Sequence, residues 1–244
     1  MKYKVCLSTK VNYKTLSKGS GILVLEPDDY TVSAIQQIKK KGYKVLGYLS
    51  VGTIEKERSW YKKYKKYGLK TLKDWPNEVY ADVRKTNWRC FLVDRAKALK
   101  KKGFDGFWCD NLDVYEYYKS DKMYSACKAV LKQIKAVGGY VMINGGVELF
   151  DVMTDKKVDI KKFINGYTQE EVFSRITSYS GKGKFAKQFP EDTKWYKTIL
   201  KRVKKKGVSI FLLEYTKDDT VKKQIEKWCK DNGASYYISK DVNL

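Results

Sequence analysis

The chain of 244 residues contains no histidine. That absence excludes Ser-His-Asp and Cys-His nucleophile systems and any zinc site built on imidazole. Acid–base chemistry near neutral pH then falls to Asp, Glu, Tyr, Lys or Cys. The five cysteines (Cys6, Cys90, Cys109, Cys127, Cys229) are odd in number and form no C-x-x-C pair. This argues against a zinc ribbon, a thioredoxin motif and a disulfide framework. Arginine is scarce as well: of 51 basic residues only six are Arg. Arg is the residue suited to bidentate phosphate and base contacts, so nucleic acid is not the expected partner. No apolar run approaches the ~20 residues that span a bilayer. The start, "MKYKVCLSTK", has a charged head but no long apolar stretch of the signal-peptide kind. The expected location is extracellular or at the cell surface if a signal segment has been removed, and cytoplasmic otherwise.

What is present points to one large domain. Hydrophobic residues make up 43% and aromatics 14%, enough for a substantial core. The net charge is +23, carried almost wholly by Lys. Such a surface reads first as solvated helix faces and second as a means of holding an anionic cell-wall polymer. One pattern recurs at "IKKKGYKVLGYLS", "LKKKGFDGFWCDN", "IKAVGGYVMING" and "VKKKGVSIFLLEY". Each begins as the end of an amphipathic helix, with Lys complementing the helix dipole. A Gly follows at the position that takes a left-handed conformation, and then an apolar strand. Helix, Gly and buried strand in series are the mark of α/β units. Eight strands are predicted, at 22–25, 44–50, 79–83, 104–109, 140–144, 164–169, 208–214 and 235–238. Eight such units in this length fit a single (β/α)8 TIM barrel spanning 1–244, expected to act as a monomer. A doubly wound sheet would carry a Gly-rich phosphate loop after its first strand; "EPDDY" stands there instead.

In such a barrel the site lies at the C-terminal ends of the strands. Those ends carry Glu26, Tyr48 and Ser50, Asp82 and Arg84, then Asp110, Asn111 and Asp113, then Asn144, Glu170 and Glu171, and last Glu214 and Tyr215. A single acidic residue after a strand is an ordinary turn former or cap. Carboxylates and amides at six of these seven ends of a strongly basic chain point instead to a site. Clustered carboxylates repel, which raises some pKa values toward those a general acid needs. No D-x-D-x-D-G loop is present, so no metal and no other cofactor is expected. Tyr48, Trp108, Tyr115, Tyr117 and Tyr215 near the same ends favour sugar, whose C–H faces stack on aromatic rings.

Five segments resemble the glycoside hydrolase family 114 barrels and their bacterial relatives, a group that includes endo-α-1,4-polygalactosaminidases. "VLGYLSVGTIEKER" is similar to the family's strand-2 segment, with Tyr48, Ser50, Gly52, Glu55 and Arg58 in place. "WPNEVYADVR" resembles the strand-3 segment, with Trp75, Glu78, Asp82 and Arg84. "GFDGFWCDNLDVY" resembles the strand-4 signature, "INGYTQEEVF" the strand-6 segment and "FLLEY" strand 7. The resemblance implies a glycoside hydrolase acting on an α-linked amino-sugar polysaccharide from within the chain. It implies Asp110 and Glu170 as the catalytic carboxylates. As a glycosidase the chain would use Glu170 as acid/base and Asp110 as nucleophile or base, with the strand-end residues Tyr48, Asp82, Arg84, Asn111, Asp113, Asn144, Glu214 and Tyr215 expected to contact substrate. The family's polar residue before the strand-4 aspartate is Cys109 here, and a charge of +23 opposes a cationic polymer. The alternative is a non-catalytic barrel that binds carbohydrate or a cell-wall polymer.

Overall fold

The computed structural model describes residues 2–244. Eight parallel strands form a nearly closed barrel in chain order: β1 (Lys2–Cys6), β2 (Gly21–Leu25), β3 (Tyr43–Ser50), β4 (Gly106–Asp110), β5 (Tyr140–Asn144), β6 (Gly166–Glu170), β7 (Ser209–Tyr215) and β8 (Ser235–Ser239). β8 returns beside β1, and the N–H of Leu7, just past β1, donates to the carbonyl of Leu244. Six long helices cover the outside: α1 (Val32–Lys40), α2 (Thr86–Lys102), α3 (Asp121–Ala136), α4 (Val147–Asp155), α5 (Pro190–Lys205) and α6 (Asp219–Asn232). Two single-turn helices, Tyr61–Tyr64 and Val114–Tyr117, sit in the connections.

The alternation of strand side chains separates two cores. Tyr3, Val5, Ile22, Val24, Leu46, Trp108, Met142, Phe211 and Leu213 point inward and fill the barrel. Val45, Leu49, Phe107, Cys109, Val141, Ile143, Tyr167 and Leu212 point outward and pack under the helices. Burying a side chain of this size stabilises by about 1.5–3 kcal/mol each. The helix-to-strand joints follow the sequence pattern. At the end of α2, Gly103 takes φ 105° and its N–H bonds to the Leu99 and Lys100 carbonyls, after Lys100, Lys101 and Lys102 in the last turn.

Two strand assignments need correction. The segment expected as a barrel strand at 79–83 lies outside the barrel. Glu78–Ala81 is the middle strand of a small antiparallel sheet with Thr53–Glu55 and Gly68–Thr71, all within the β3–α2 connection. The barrel strand missing from the sequence reading is Lys2–Cys6. No helix follows it among the described residues, so its outer face is open and Lys2 and Lys4 are exposed there. A strand with one solvated face alternates, and KYKVC does. The two errors cancel in the count, so Asp110 still ends the fourth strand and Glu170 the sixth.

Candidate active site

At the C-terminal mouth of the barrel a cavity of about 460 Å³ opens over the inward-facing strand ends. Strand parity decides which residues reach it. Asp110 is two past inward-facing Trp108, and Asn144 two past Met142. Glu170 is two past Thr168, which accepts the Trp108 indole N–H at 3.3 Å. Tyr215 is two past Leu213. All four strand-end residues line the cavity, as do Tyr48, Asn111 and Asp113.

Asn144 joins the two carboxylates. Its Nδ2 donates to Asp110 Oδ1 at 3.0 Å and to Glu170 Oε1 at 2.5 Å. Those two bonds sum to 5.5 Å, the greatest separation their accepting oxygens can have. Tyr215 Oη donates to Glu170 Oε2 at 2.7 Å, so both Glu170 oxygens accept a donor. The Asn111 N–H donates to Asp110 Oδ1 at 2.8 Å. Burial raises the pKa of both carboxyls. The charge of Glu170 pushes Asp110 further up, whereas the Tyr215 and Asn144 bonds pull Glu170 back. The pair therefore titrates as a unit.

Each carboxylate is held at the last residue of a strand and followed by a left-handed turn, at Asn111 (φ 64°) and Glu171 (φ 58°). Asn tolerates that conformation. For Glu the strain is of order 1–3 kcal/mol, and several contacts hold the turn. The Glu171 N–H donates to the Leu213 carbonyl, Gln188 Nε2 donates to the Glu171 carbonyl, and Glu171 Oε2 accepts the Ile176 N–H. Asn111 is fixed by bonds from its Nδ2 to Ser50 Oγ and Thr53 Oγ1, both 3.0 Å. A Cβ on Gly52 would collide with the Asn111 carbonyl, so glycine is required where the β3 connection presses on this turn.

The wall beside β3 is acidic. Thr53 Oγ1 donates to Glu78 at 2.6 Å. Burial first, then the charges of Glu55 and Glu57, push Glu78 up to about 7, against the Thr53 bond. Burial and the charge of Glu170 likewise bring Glu171 to about 7. Arg58 is clamped by Glu26 on both terminal nitrogens at 2.8 Å and by Glu55 at 2.7 and 3.0 Å. Among the described residues lining the cavity, eight are carboxylates and Arg58 is the single cation.

Three residues named from sequence as substrate contacts lie elsewhere. Asp82 and Arg84 do not line the cavity. They follow the small side sheet rather than a barrel strand, and pair with each other at 2.6 Å. Glu214 has the opposite parity to Tyr215 and points away from the barrel axis. It is fully buried and accepts from the N–H groups of Val172, Phe173 and Ser174 and from Ser174 Oγ at 2.6 Å. Of the tyrosines after β4, Tyr115 packs against Tyr124 and Tyr117 against Tyr80, away from the cavity. Tyr179 and Ile176, which do line it, come from a hairpin (Ser174–Ser178 with Lys184–Lys187) that the sequence reading lacked. The Gly-rich turn "SYSGKGK" was the available signal.

The Lys-Lys-Lys-Gly segments stay clear of the cavity. Lys39 bonds to the Gly103 carbonyl and pairs with Asp105 at 2.7 Å, at the entrance to β4 rather than its end.

The profile of the Glycoside-hydrolase family GH114 matches residues 1–244. The fold is similar to the glycoside hydrolase domain of PelA from Pseudomonas aeruginosa, with a TM-score of 0.80 at 17% identity over all of this chain and 96% of that one. It is also similar to Aspergillus fumigatus Ega3, solved in complex with galactosamine, with a TM-score of 0.76 at 18% identity over 100% of this chain and 92% of that one. In sequence the chain is 22% identical over 241 residues to protein MJ1477 of Methanocaldococcus jannaschii, covering 88% of this chain and 66% of that protein. It thus spans slightly less than two thirds of that relative.

Proposed function

The chain belongs to glycoside hydrolase family GH114, and from that premise we propose that it hydrolyses an α-linked amino-sugar polysaccharide at internal bonds. Asp110 is the nucleophile and Glu170 the acid/base. The observation that carries this reading is the shared amide of Asn144, which keeps the two nearest carboxyl oxygens within 5.5 Å. Retaining glycosidases hold their carboxyls about 5–5.5 Å apart, and inverting ones about 6.5–9.5 Å to admit a water. A ceiling of 5.5 Å on one oxygen pair is compatible with the close arrangement, and we propose retention.

Glu170 gives its proton to the glycosidic oxygen while an Asp110 oxygen attacks the anomeric carbon, forming a glycosyl ester. Glu170, now ionised, takes a proton from water, and that water displaces Asp110. The first step needs the proton on Glu170 and an ionised Asp110. A cationic amino group on the bound ring, placed beside Asp110, favours the ionised aspartate and sends the proton to Glu170. The acidic lining gives the same preference for a cationic sugar, despite the basic surface.

The test is hydrolysis of α-1,4-polygalactosamine followed by proton NMR. The α-anomer should appear first and then mutarotate. A β-anomer at first would refute retention. If the wild type binds the polymer without cutting it, the non-catalytic barrel replaces this reading.

A further inference from the structure

Two large aromatic side chains meet across the cavity mouth. Trp75 comes from the loop inside the small side sheet, and Tyr179 from the hairpin after β6. Their ring centroids are 5.3 Å apart at 68°, edge to face. Both line the cavity, and they are 43% and 37% exposed, although neither is needed by the barrel core. Exposed indole and phenol rings held together over a polar cavity are unusual for a surface that only needs solvation.

The backbones beneath the rings decide between a moving gate and a fixed wall. On one side the Trp75 carbonyl accepts the Glu78 N–H at 2.9 Å, and the Asn77 carbonyl accepts the Lys56 N–H at 2.8 Å. On the other, the Lys182 carbonyl accepts the Val242 N–H at 3.1 Å, tying the hairpin tip to the C-terminal segment. A Cβ at Gly183 would strike Val242, so the tip sits flush against that segment. Both loops are pinned, and pinned aromatic rings present contact area at little conformational cost. Tyr179 also lies in the field of Glu171 and Glu170, which, after burial, raise its hydroxyl pKa.

We propose that Trp75 and Tyr179 form a fixed aromatic subsite that stacks on a sugar ring of the polymer next to the ring being cleaved. This rests on the glycosidase reading of the same cavity, and adds to it where the chain runs and what holds it. The ligand is a pyranose with one apolar C–H face. The ring contributes to binding and not to bond cleavage, so its loss belongs in KM rather than kcat.

The experiment uses the full chain with Trp75→Ala, Tyr179→Ala and Tyr179→Phe, and α-1,4-polygalactosamine as the probe. Both alanine variants should raise KM about tenfold, the size of one binding anchor, with kcat within about twofold. Tyr179→Phe keeps the ring and should recover most of the affinity lost in Tyr179→Ala. Unchanged KM overturns the subsite, and so does a loss confined to kcat. Faster cleavage overturns it too, because the rings would then be a barrier. If the wild type cuts nothing, the glycosidase reading has failed, and the subsite is judged by affinity electrophoresis in gels containing the polymer. Retardation lost in Trp75→Ala upholds it, and equal retardation overturns it.

Discussion

Asp110 and Glu170 owe their placement to being the last residue of a rigid strand, with a left-handed turn immediately after. Catalysis needs reacting groups held to a fraction of an ångström, which strands supply and loops do not. Asp110→Asn and Glu170→Gln keep size, so the fold should survive while turnover of the polymer falls by about 10²–10⁴. Asp110→Asn removes one of two neighbouring buried carboxyls that repel when ionised, so it should not lower the melting temperature. Turnover near wild type in either one would remove it from the reaction. These positions were legible in the sequence because an end-of-strand carboxylate needs only the strand boundary and the barrel topology to be placed. Glu214 was equally visible as a residue but not in direction. Counting two back from Tyr215 through Leu213 and Phe211, all inward, would have turned it outward.

Glu214 belongs to the scale of elements, where it ties β7 to the connection that follows β6. Every group facing its carboxylate is a donor, three of them backbone N–H. Ser174 Oγ, which donates to it, in turn accepts the Tyr215 N–H at 2.9 Å. The pin therefore fixes the start of the hairpin and the residue that holds Glu170. Glu214→Gln would aim an NH2 group at donors, at about 2–4 kcal/mol. For a chain of this size the melting temperature should drop by roughly 4–16 °C. An unchanged melting curve would mean that the carboxylate carries none of the anchoring. The same scale shows what pattern reading reaches. Helix, Lys, Gly and strand were visible because dipole, left-handed cap and burial all mark the same few residues. Lys2–Cys6 was not, because its lysines answer to an open outer face rather than to its place in the barrel. The 79–83 segment, VYADV, has the residues of a buried strand, but composition records burial and not which neighbour a strand pairs with.

Taken as a whole, the molecule separates its charge, with acid in the cavity and Lys at helix ends and over the outside. Stability should follow the cavity carboxyls. Glu78 and Glu171, each raised to about 7 from an ordinary value of 4.5, bind protons in the folded state that the unfolded chain has released. Stability therefore falls as pH rises from about 4.5 to 7, and Glu214, pushed up to about 8 by burial, extends the fall beyond that. Melting at 0.15 M salt should occur higher at pH 5 than at pH 8, and the difference should shrink in Glu78→Gln. A rise in melting temperature toward pH 8 would refute the burial that raises these carboxyls. Association with a polycation brings the two charge layers into competition. At 0.01 M salt the Debye length is about 30 Å, and an approaching polymer meets the net charge of +23. Its KM should be high. Near 0.15 M the length is about 8 Å: the outer lysines are screened, contacts inside the cavity survive, and KM should fall. At 1 M, with about 3 Å, the cavity attraction weakens as well and KM should rise again. A minimum in KM at intermediate salt is thus the signature of a cationic chain drawn past a basic surface into an acidic cleft. A neutral glycan would give a flat profile and an anionic polymer a steady rise from low salt upward, so either curve, measured on the substrate finally identified, would rule out the amino-sugar assignment.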